Sequence, residues 1–302
     1  MIIANSILDL IGSTPMVRIN KLASAEDAKI YAKLEWYNIG GSVKDRMALY
    51  LLNYSEARGR LNKDKTILEA TSGNTGISLA MIAAAKGYKI TIVMPESVSV
   101  ERRKIIKTYG AELVLSPAEK GTGGAIELKQ RLMKEDPGKY FDTNQFKDPA
   151  NILAHYETTG KEIIEQTNGK VDMFVVGIGT AGTGVGASMR LKEFNPKIKV
   201  VGVIPKLGLS IQGLRNPKES NPTQLFKKEH FDEIIEIEKA EIPEVYEIAR
   251  KAAREEGLFI GMSSAAILYI ALKKAKELGN DKTLVTIFPD NGDKYLSTNL
   301  FD

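Results

Sequence analysis

Three short segments rich in glycine, serine and threonine, residues 71–76, 177–186 and 261–265, have the residue types that bind anions. The longest, residues 177–186, reads Gly-Ile-Gly-Thr-Ala-Gly-Thr-Gly-Val-Gly and lies between an apolar run and a helix-like stretch. Glycines let the backbone turn sharply and present N–H groups to an anion at the positive end of a helix dipole. The next apolar run ends in Pro205-Lys206, with no carboxylate to hold a ribose, so a dinucleotide is disfavoured. The segment predicts a smaller phosphate ligand, with a ligand-free turn as the alternative.

The second segment, residues 71–76, reads Thr-Ser-Gly-Asn-Thr-Gly and precedes a helix-like stretch. Small hydroxyl residues at a helix start often do no more than cap the helix. Here three hydroxyls, two glycines and an amide stand within six residues, which is more than one cap requires. Backbone N–H and side-chain O–H donors in such a turn can hold a carboxylate, so we favour a ligand-binding role over capping.

Lys44 is a candidate for a reactive amine. It stands in Ser42-Val43-Lys44-Asp45-Arg46, at a predicted helix start after two glycines. A lysine amine can act as a nucleophile or remove a proton. A single lysine is usually a solvated surface residue, so Lys44 becomes a strong candidate only in combination with the anion-binding turns.

The elements that position these segments alternate between apolar runs and amphipathic stretches. Continuous apolar runs are typical of parallel strands that are buried on both faces. The candidate strands are residues 30–34, 66–69, 90–93, 112–115, 173–176, 199–203 and 284–287. The candidate helices are residues 77–85, 101–109, 125–134, 154–166 and 243–256. This alternation predicts an α/β fold with parallel sheets, in which ligands bind beyond the carboxyl ends of the strands.

Composition excludes or disfavours several classes of protein. The 302 residues carry a formal charge of +4, and no basic run has interleaved aromatics, which disfavours nucleic-acid binding. The chain has no cysteine and two histidines, so disulfides and thiolate metal sites are excluded and we expect no metal. No apolar run reaches the ~20 residues that span a bilayer, and residues 1–10 lack the pattern of a signal peptide. We therefore expect a cytoplasmic protein that does not contact a membrane.

Together these segments resemble the cysteine synthase (O-acetylserine sulfhydrylase) and cystathionine β-synthase family of fold-type II pyridoxal-phosphate (PLP) enzymes. The resemblance extends from Ile-Gly-Ser-Thr-Pro at residues 11–15 to Pro-Asp-Asn-Gly-Asp-Lys-Tyr-Leu-Ser-Thr at residues 289–298. Its most specific part is Asn38 followed by residues 42–46 and 71–76, in this order.

The resemblance implies an α/β fold of two domains, with mainly parallel twisted sheets flanked by helices and the cofactor between the domains. The larger domain would comprise residues 1–40 and 143–302. The smaller, mobile domain would comprise residues 41–142 and would close on the substrate. The resemblance also implies a homodimer.

A role for each segment follows from the same resemblance. Lys44 would hold PLP covalently, Asn74 would hydrogen-bond its phenolic oxygen, and Ser263 would face its pyridine nitrogen. The phosphate would lie in a cup formed by Gly179, Thr180, Ala181, Gly182 and Thr183. The substrate carboxylate would be surrounded by Thr71, Ser72, Asn74, Thr75 and Gln145.

These roles describe chemistry at the β-carbon of a serine- or cysteine-like amino acid. An amino acid that takes the place of Lys44 on the cofactor frees an amine that can remove the α-proton. PLP delocalises the resulting carbanion, and a serine opposite the ring nitrogen cannot keep that nitrogen protonated as an aspartate would. We therefore expect prompt loss of the β-substituent to give an aminoacrylate, to which a second nucleophile adds. The expected enzyme is a transferase of cysteine biosynthesis that makes cysteine from O-acetylserine and sulfide.

The chain departs from the family pattern at Ala181 and in residues 207–232. Ala181 stands in place of a glycine, and we expect the methyl group to be tolerated if the local φ is negative. Residues 207–232 lack the glycine-rich segment that is typical of the O-acetylserine enzymes. Because they follow a predicted parallel strand, we expect them to border the site entrance and to affect the choice of substrate.

That difference leaves other reactions open. Cysteine itself could be the substrate, with loss of hydrogen sulfide as in a lyase and with water or another thiol as the second nucleophile. Loss of a thiol benefits from a proton donor, and Asp232 is the preferred candidate for it. The alternative interpretation is that Asp232 is a solvated carboxylate without a catalytic role. The other acids in or after the divergent segment are Glu219, Glu229 and Glu233. A serine or threonine deaminase-type β-elimination is a further alternative, whereas a non-enzymatic scaffold would not need Lys44, Asn74 and Ser263 together.

Overall fold

The computed structural model describes residues 3–219 and 222–302, and the ten strands in these ranges form two sheets. The strands are β1 (Met16–Ile19), β2 (Lys29–Leu34), β3 (Thr66–Ala70), β4 (Lys89–Pro95), β5 (Glu112–Ser116), β6 (Tyr140–Asp142), β7 (Met173–Gly177), β8 (Lys199–Pro205), β9 (Glu233–Ile237) and β10 (Thr283–Phe288). Six strands form a sheet in the order β1-β2-β10-β7-β8-β9, in which β1 is antiparallel to β2 and the other pairs are parallel. The other four form a parallel sheet in the order β5-β4-β3-β6. The predicted α/β class with mainly parallel sheets is confirmed.

Helices connect and cover the strands. The α-helices in the described residues are α1 (Lys44–Ala57), α2 (Asn74–Lys86), α3 (Val100–Thr108), α4 (Gly121–Glu135), α5 (Ala150–Ala154), α6 (Lys161–Gln166), α7 (Gly182–Phe194), α8 (Ile242–Lys251) and α9 (Met262–Leu278). A π-helical segment, His155–Gly160, joins α5 to α6, and a second one, Ala252–Glu256, continues α8. The predicted helix over residues 154–166 is therefore one continuous helical stretch of three parts.

The seven predicted strands all lie within observed strands, because buried parallel strands leave long apolar runs in the sequence. Every residue of β3 is buried, and so is every residue of β8 after its first. The sequence did not predict β1, β6 or β9. The last of these is an edge strand whose sequence, Glu-Ile-Ile-Glu-Ile, is mostly half-buried or exposed, and β6 has three residues. A strand of three residues, or one interrupted by a charged residue as β1 and β9 are, leaves no continuous apolar run.

Each sheet has its own cluster of buried hydrophobic side chains. Val203 and Ile267 belong to one that lies between the six-stranded sheet and α9. Ile67 and Leu79 belong to another that lies between the four-stranded sheet and α2. The assignment of residues 41–142 to a smaller, mobile domain stays a prediction.

The candidate segments lie where parallel strands end. Helix α2 begins four residues after β3 and α7 five residues after β7, so both anion-binding turns stand at carboxyl ends of strands. The carboxyl edge of an open α/β sheet is the usual place for a ligand.

Within residues 3–219 and 222–302, no helix combines the length and the apolar character that a membrane span requires. The same ranges hold no cluster of three or more His, Cys, Asp or Glu side chains suited to a metal ion.

Candidate active site

The predicted segments that follow strands of both sheets line one cavity of about 740 Å³. Its wall includes the turn after β3, the turn after β7, the first turn of α9 and part of the loop after β8. The predicted site residues that line it are Lys44, Thr71, Ser72, Asn74, Thr75, Gln145, Gly179, Thr180, Ala181, Thr183 and Ser263. These residues span 219 positions of the chain, from 44 to 263, and the fold brings them to one cavity.

Lys44 is the first residue of α1 and lines the cavity. The segment before it is fixed to the end of β10, because Ser42 forms a β-bridge with Asp290 and the N–H of Val43 donates to Pro289 O at 2.9 Å. Burial lowers the pKa of the Lys44 amine, and the charge of Asp290 opposes this effect. A lysine with a lowered pKa is neutral more often, and a neutral amine is both a nucleophile and a base.

The turn at residues 71–76 places donors at the start of α2. Helix α2 begins at Asn74. The free N–H groups of its first turn therefore point toward the loop that precedes the helix. The Thr75 hydroxyl donates to Gln145 Oε1 at 2.9 Å, and Gln145 Nε2 donates to Glu69 Oε1 at 3.0 Å. The structure therefore joins Gln145 to the turn 70 residues before it, as the predicted substrate group requires. That this group binds a carboxylate remains a prediction.

The predicted phosphate cup lies at the amino end of α7, whose first residue is Gly182. A Cβ at Gly179 would lie 2.6 Å from Gly213 O, so a glycine is needed for the loop after β8 to approach. A Cβ at Gly182 would collide with the side-chain amide of Asn151. The condition stated for Ala181 is not met: its φ is +71°, in the left-handed region that residues other than glycine rarely adopt.

Two residues that the sequence did not predict hold the threonines of the cup. Asn151 Nδ2 donates to Thr180 Oγ1 at 3.0 Å, and Thr183 Oγ1 lies 3.1 Å from His155 Nε2. Burial, with the positive charges of Arg46 and Lys44, lowers the pKa of His155 well below its ordinary value, so the ring is neutral. Neither residue stands near a glycine-rich turn in the sequence, and no local pattern marks them.

Ser263 is the second residue of α9 and is 2% exposed. The loop after β8 packs against it, since a Cβ at Gly213 would lie 3.0 Å from Ser263 Oγ. Ser263 thus lines the cavity beside the loop after β8. Of the residues 207–232 that depart from the family pattern, residues 208–215 and Glu219 line the cavity. The Glu219 carboxylate pairs with Arg215 at 3.2 Å.

The structure does not bring Asp232 to the cavity. Its carboxylate accepts from Val200 N–H at 2.8 Å and pairs with Lys192 at 2.8 Å and Lys199 at 3.5 Å. Burial raises the pKa of this carboxyl, but the bonds from Lys192 and Val200 outweigh burial and lower it. Asp232 lies at the amino ends of β8 and β9, whereas ligands bind at carboxyl ends. The preference for Asp232 as a proton donor was wrong, and it is a structural carboxylate.

Two hydrogen bonds that the sequence did not predict join the parts of the site that belong to the two sheets. Arg102 of α3 is 7% exposed, and its Nη1 donates to Gln212 Oε1 at 3.0 Å. The same atom approaches the carbonyl oxygen of Ser72 at 3.4 Å. Asn74 Nδ2 donates to Asp290 Oδ2 at 2.7 Å. In the sequence, Arg102 belongs to an amphipathic helix, where an arginine usually indicates a solvated face.

These residues fit pyridoxal phosphate. A cofactor with an aldehyde, a phosphate and a polar ring needs an amine, an anion site and hydrogen-bond partners, and the cavity has all three. Asn74 Oδ1 is buried without a hydrogen-bond partner in the described chain. Unpaired buried polar atoms are rare in folded proteins and mark places where a ligand or water binds.

Residues 7–290 match the family described as pyridoxal-phosphate dependent enzyme. The chain belongs to this family. A cysteine synthase of Staphylococcus aureus is 42% identical over 309 residues, which cover 98% of this chain and 97% of that protein. The crystal structure of a cysteine synthase from Entamoeba histolytica superposes with a TM-score of 0.92 at 39% identity, covering 99% of this chain and 91% of that one. A hydrogen sulfide-producing enzyme from Fusobacterium nucleatum superposes with a TM-score of 0.90 at 39% identity, and the match covers 97% of this chain and 100% of that one.

The predicted family and the predicted cofactor are thereby confirmed, and the protein is a PLP-dependent enzyme with the fold of the cysteine synthases. It acts on small molecules, as these relatives do. The roles of individual residues stay proposals.

Proposed function

We propose that this enzyme is a cysteine synthase, which replaces the β-substituent of O-acetylserine, or of a similar serine derivative, with sulfide. The observation that carries this proposal is that the Lys44 amine, the turn at residues 71–76 and the cup at the start of α7 line one cavity. Likeness to cysteine synthases over nearly the whole length of both chains supports the same reaction.

The cofactor would be held at three places. Lys44 would bind it covalently, and the N–H groups at the start of α7 would bind the phosphate together with the hydroxyls of Thr180 and Thr183. Ser263, which also lines the cavity, would face the ring nitrogen. When bound, PLP supplies an electron sink for the negative charge that develops at the substrate α-carbon.

Lys44 would also be the base for the substrate. Its amine is freed when the substrate amino group takes its place, and its lowered pKa favours the neutral form that accepts the α-proton at Nζ. The substrate carboxylate would be held by the N–H groups of Asn74 and Thr75, which begin α2, and by the hydroxyls of Thr71 and Ser72. Gln145 is kept in orientation by Glu69 and would complete this group.

The decisive test for the proposal uses absorption and product analysis together. The protein loaded with PLP should absorb at about 410 nm, the band of a lysine-bound cofactor, and Lys44→Ala should abolish that band. Wild-type protein given O-acetylserine and sulfide should form cysteine, and the Lys44→Ala variant should not. Lys65→Ala, at a lysine outside the cavity, is the matched control and should keep the band. A wild-type protein without the band, or without cysteine formation, would refute the assignment.

A second reaction is supported by the hydrogen sulfide-producing relative. The enzyme would then take cysteine itself and expel hydrogen sulfide, and water would release the remaining carbons as pyruvate and ammonia. Incubation with cysteine alone, followed by assays for sulfide and for pyruvate, tests this reaction. Absence of sulfide from the wild type would exclude it.

We also infer that the enzyme is a cytoplasmic homodimer whose residues 41–142 close on the substrate. The support is the family resemblance, together with exposed apolar side chains near the amino terminus, namely Ile3, Ile7 and Leu10. Light scattering of the purified enzyme gives its mass in solution, and a mass of one chain would contradict the dimer. Fractionation of cells tests the location.

A further inference from the structure

Asp290 lies immediately behind the cavity wall, two residues after β10 ends, and is 1% exposed. Its Oδ2 accepts two hydrogen bonds, from Asn74 Nδ2 at 2.7 Å and from the Tyr295 hydroxyl at 2.8 Å. The other oxygen, Oδ1, is buried and has no hydrogen-bond partner in the described residues. A Cβ at Gly261 would collide with Oδ1, so the fold keeps a glycine there and leaves room for this carboxylate.

The backbone of Asp290 ties together the segments that carry the proposed cofactor contacts. It forms a β-bridge with Ser42, two residues before Lys44. Its carbonyl oxygen accepts from the N–H of Gly261 and from the hydroxyl of Ser264, both at 3.1 Å, at the start of the helix that carries Ser263. The position of the Asp290 side chain is therefore fixed relative to these segments.

Asn74, in contrast, depends on Asp290 for the orientation of its side-chain amide. In residues 3–219 and 222–302, the bond to Asp290 is the only hydrogen bond that the Asn74 side chain makes. An amide has a donor end and an acceptor end, and a rotation of 180° exchanges them. A carboxylate oxygen accepts, so it holds the nitrogen of Asn74 toward itself and prevents the exchange.

We propose that Asp290 is a positioning residue that fixes the Asn74 amide, so that Asn74 offers an N–H to the phenolic oxygen of the cofactor. This inference rests on the proposed function, in which Asn74 contacts that oxygen. The amide nitrogen has two N–H groups, and one of them is taken by Asp290. The second remains for the phenolic oxygen, and a donor there stabilises the deprotonated form of that oxygen.

The absorption spectrum of the PLP-loaded enzyme tests the inference directly. The lysine-bound cofactor absorbs at about 410 nm when its phenolic oxygen is deprotonated and at about 330 nm when it is protonated. Asp290→Ala should lower the ratio of the first band to the second about 3- to 10-fold, the effect of one hydrogen bond of ordinary net strength on an equilibrium. Asp290→Asn should keep most of the ratio, because an amide oxygen can still accept from Asn74 Nδ2.

Two further variants separate positioning from a general structural effect. Asn74→Ala should lower the ratio as Asp290→Ala does, and the double variant should lower it no further, because Asp290 acts through Asn74. Asp27→Ala is the matched control. Asp27 is a buried aspartate, 9% exposed, which lies away from the cavity and accepts a hydrogen bond from the N–H of Ser24. Its ratio should equal that of the wild type.

Each outcome decides the matter. A wild-type ratio in Asp290→Ala, or a double variant whose effect is the product of the two single effects, would overturn the positioning role. If Asp290→Ala does not fold, Asp290→Ser, whose side chain is too short to reach Asn74, is measured in its place with the same expectation. If the wild type itself has no visible band, the proposed function fails; if the band is present and unaffected by Asp290 variants, only the role of Asp290 fails.

Discussion

A buried ionic network surrounds Arg46, two residues after Lys44 in α1. Arg46 Nε lies 2.7 Å from Glu35 Oε2, and Arg46 Nη1 lies 2.6 Å from Glu162 Oε1. Lys33 Nζ lies 2.6 Å from the other oxygen of Glu162. The side chains of Arg46 and Glu35 are 1% and 0% exposed. Loss of one partner from such a group leaves an unpaired buried charge, which usually costs about 3–5 kcal/mol. We interpret the network as an anchor for the helix that carries Lys44.

Glu162 gives this network a predictable pH dependence. Burial raises the pKa of its carboxyl, but the bonds and charges of Arg46 and Lys33 outweigh burial and lower the pKa from 4.5 to about 2. Because the folded-state pKa lies below the unfolded one, the stabilisation, roughly 3 kcal/mol, is present above the unfolded pKa and is lost as the pH falls toward 2. Glu162→Gln should lower the free energy of unfolding at neutral pH and flatten its decrease in acid.

Urea denaturation at a series of pH values measures this effect. Glu165→Gln is the matched control, because Glu165 lies on the same helix and its side chain is 62% exposed. Its free energy of unfolding should follow the wild type at every pH. A Glu162→Gln profile that decreases in acid as steeply as the wild type would contradict the role assigned to Glu162.

At the scale of elements, the strained residue before α7 lowers the free energy of unfolding by a measurable amount. Ala181 has φ +71°, and an alanine in the left-handed region costs about 1–2 kcal/mol relative to a right-handed conformation. Ala181→Gly should remove this strain and raise the free energy of unfolding by up to ~1 kcal/mol, because the greater freedom of glycine in the unfolded chain offsets part of the gain. Thermal unfolding of the variant measures the change.

Ala84→Gly is the control for that substitution. Ala84 is an exposed residue inside α2, where its backbone is right-handed, so glycine should lower the free energy of unfolding by about 0.5–1 kcal/mol. The two variants should therefore change stability in opposite directions. A loss of stability in Ala181→Gly as large as in Ala84→Gly would show that the left-handed conformation is not strained.

At the scale of the whole molecule, Arg102 and Gln212 join α3 to the loop after β8 across the cavity. The first belongs to the predicted smaller domain and the second to the larger one, so their bond should favour the closed arrangement. Gln212→Ala should raise KM for the amino-acid substrate about 3- to 10-fold, the equivalent of one hydrogen bond of ordinary net strength. Steady-state kinetics with varied amino acid measure this change. Gln130→Ala, at an exposed position of α4, should leave KM unchanged. An unchanged KM in Gln212→Ala would show that the contact does not affect closure.

Residue types and short-range order determined the fold class and most of the candidate site. Buried parallel strands require continuous apolar runs, and turns that bind anions require glycines and hydroxyls in consecutive positions. Both are local properties, so the six interior strands, the edge strand β5, the cup and the turn at residues 71–76 could be predicted from the sequence.

Tertiary structure decided what depends on contacts between distant segments. Asn74 and Asp290 are 216 residues apart in the sequence. Their hydrogen bond exists because β10 ends, and α2 begins, at the same cavity. The direction of an unpredicted edge strand places Asp232 at the amino end of the sheet, away from the cavity. Ala181, immediately before α7, has a left-handed conformation that an alanine in the sequence does not indicate. Composition and spacing carry no record of strand order, strand direction or backbone torsion, because these arise from packing in three dimensions.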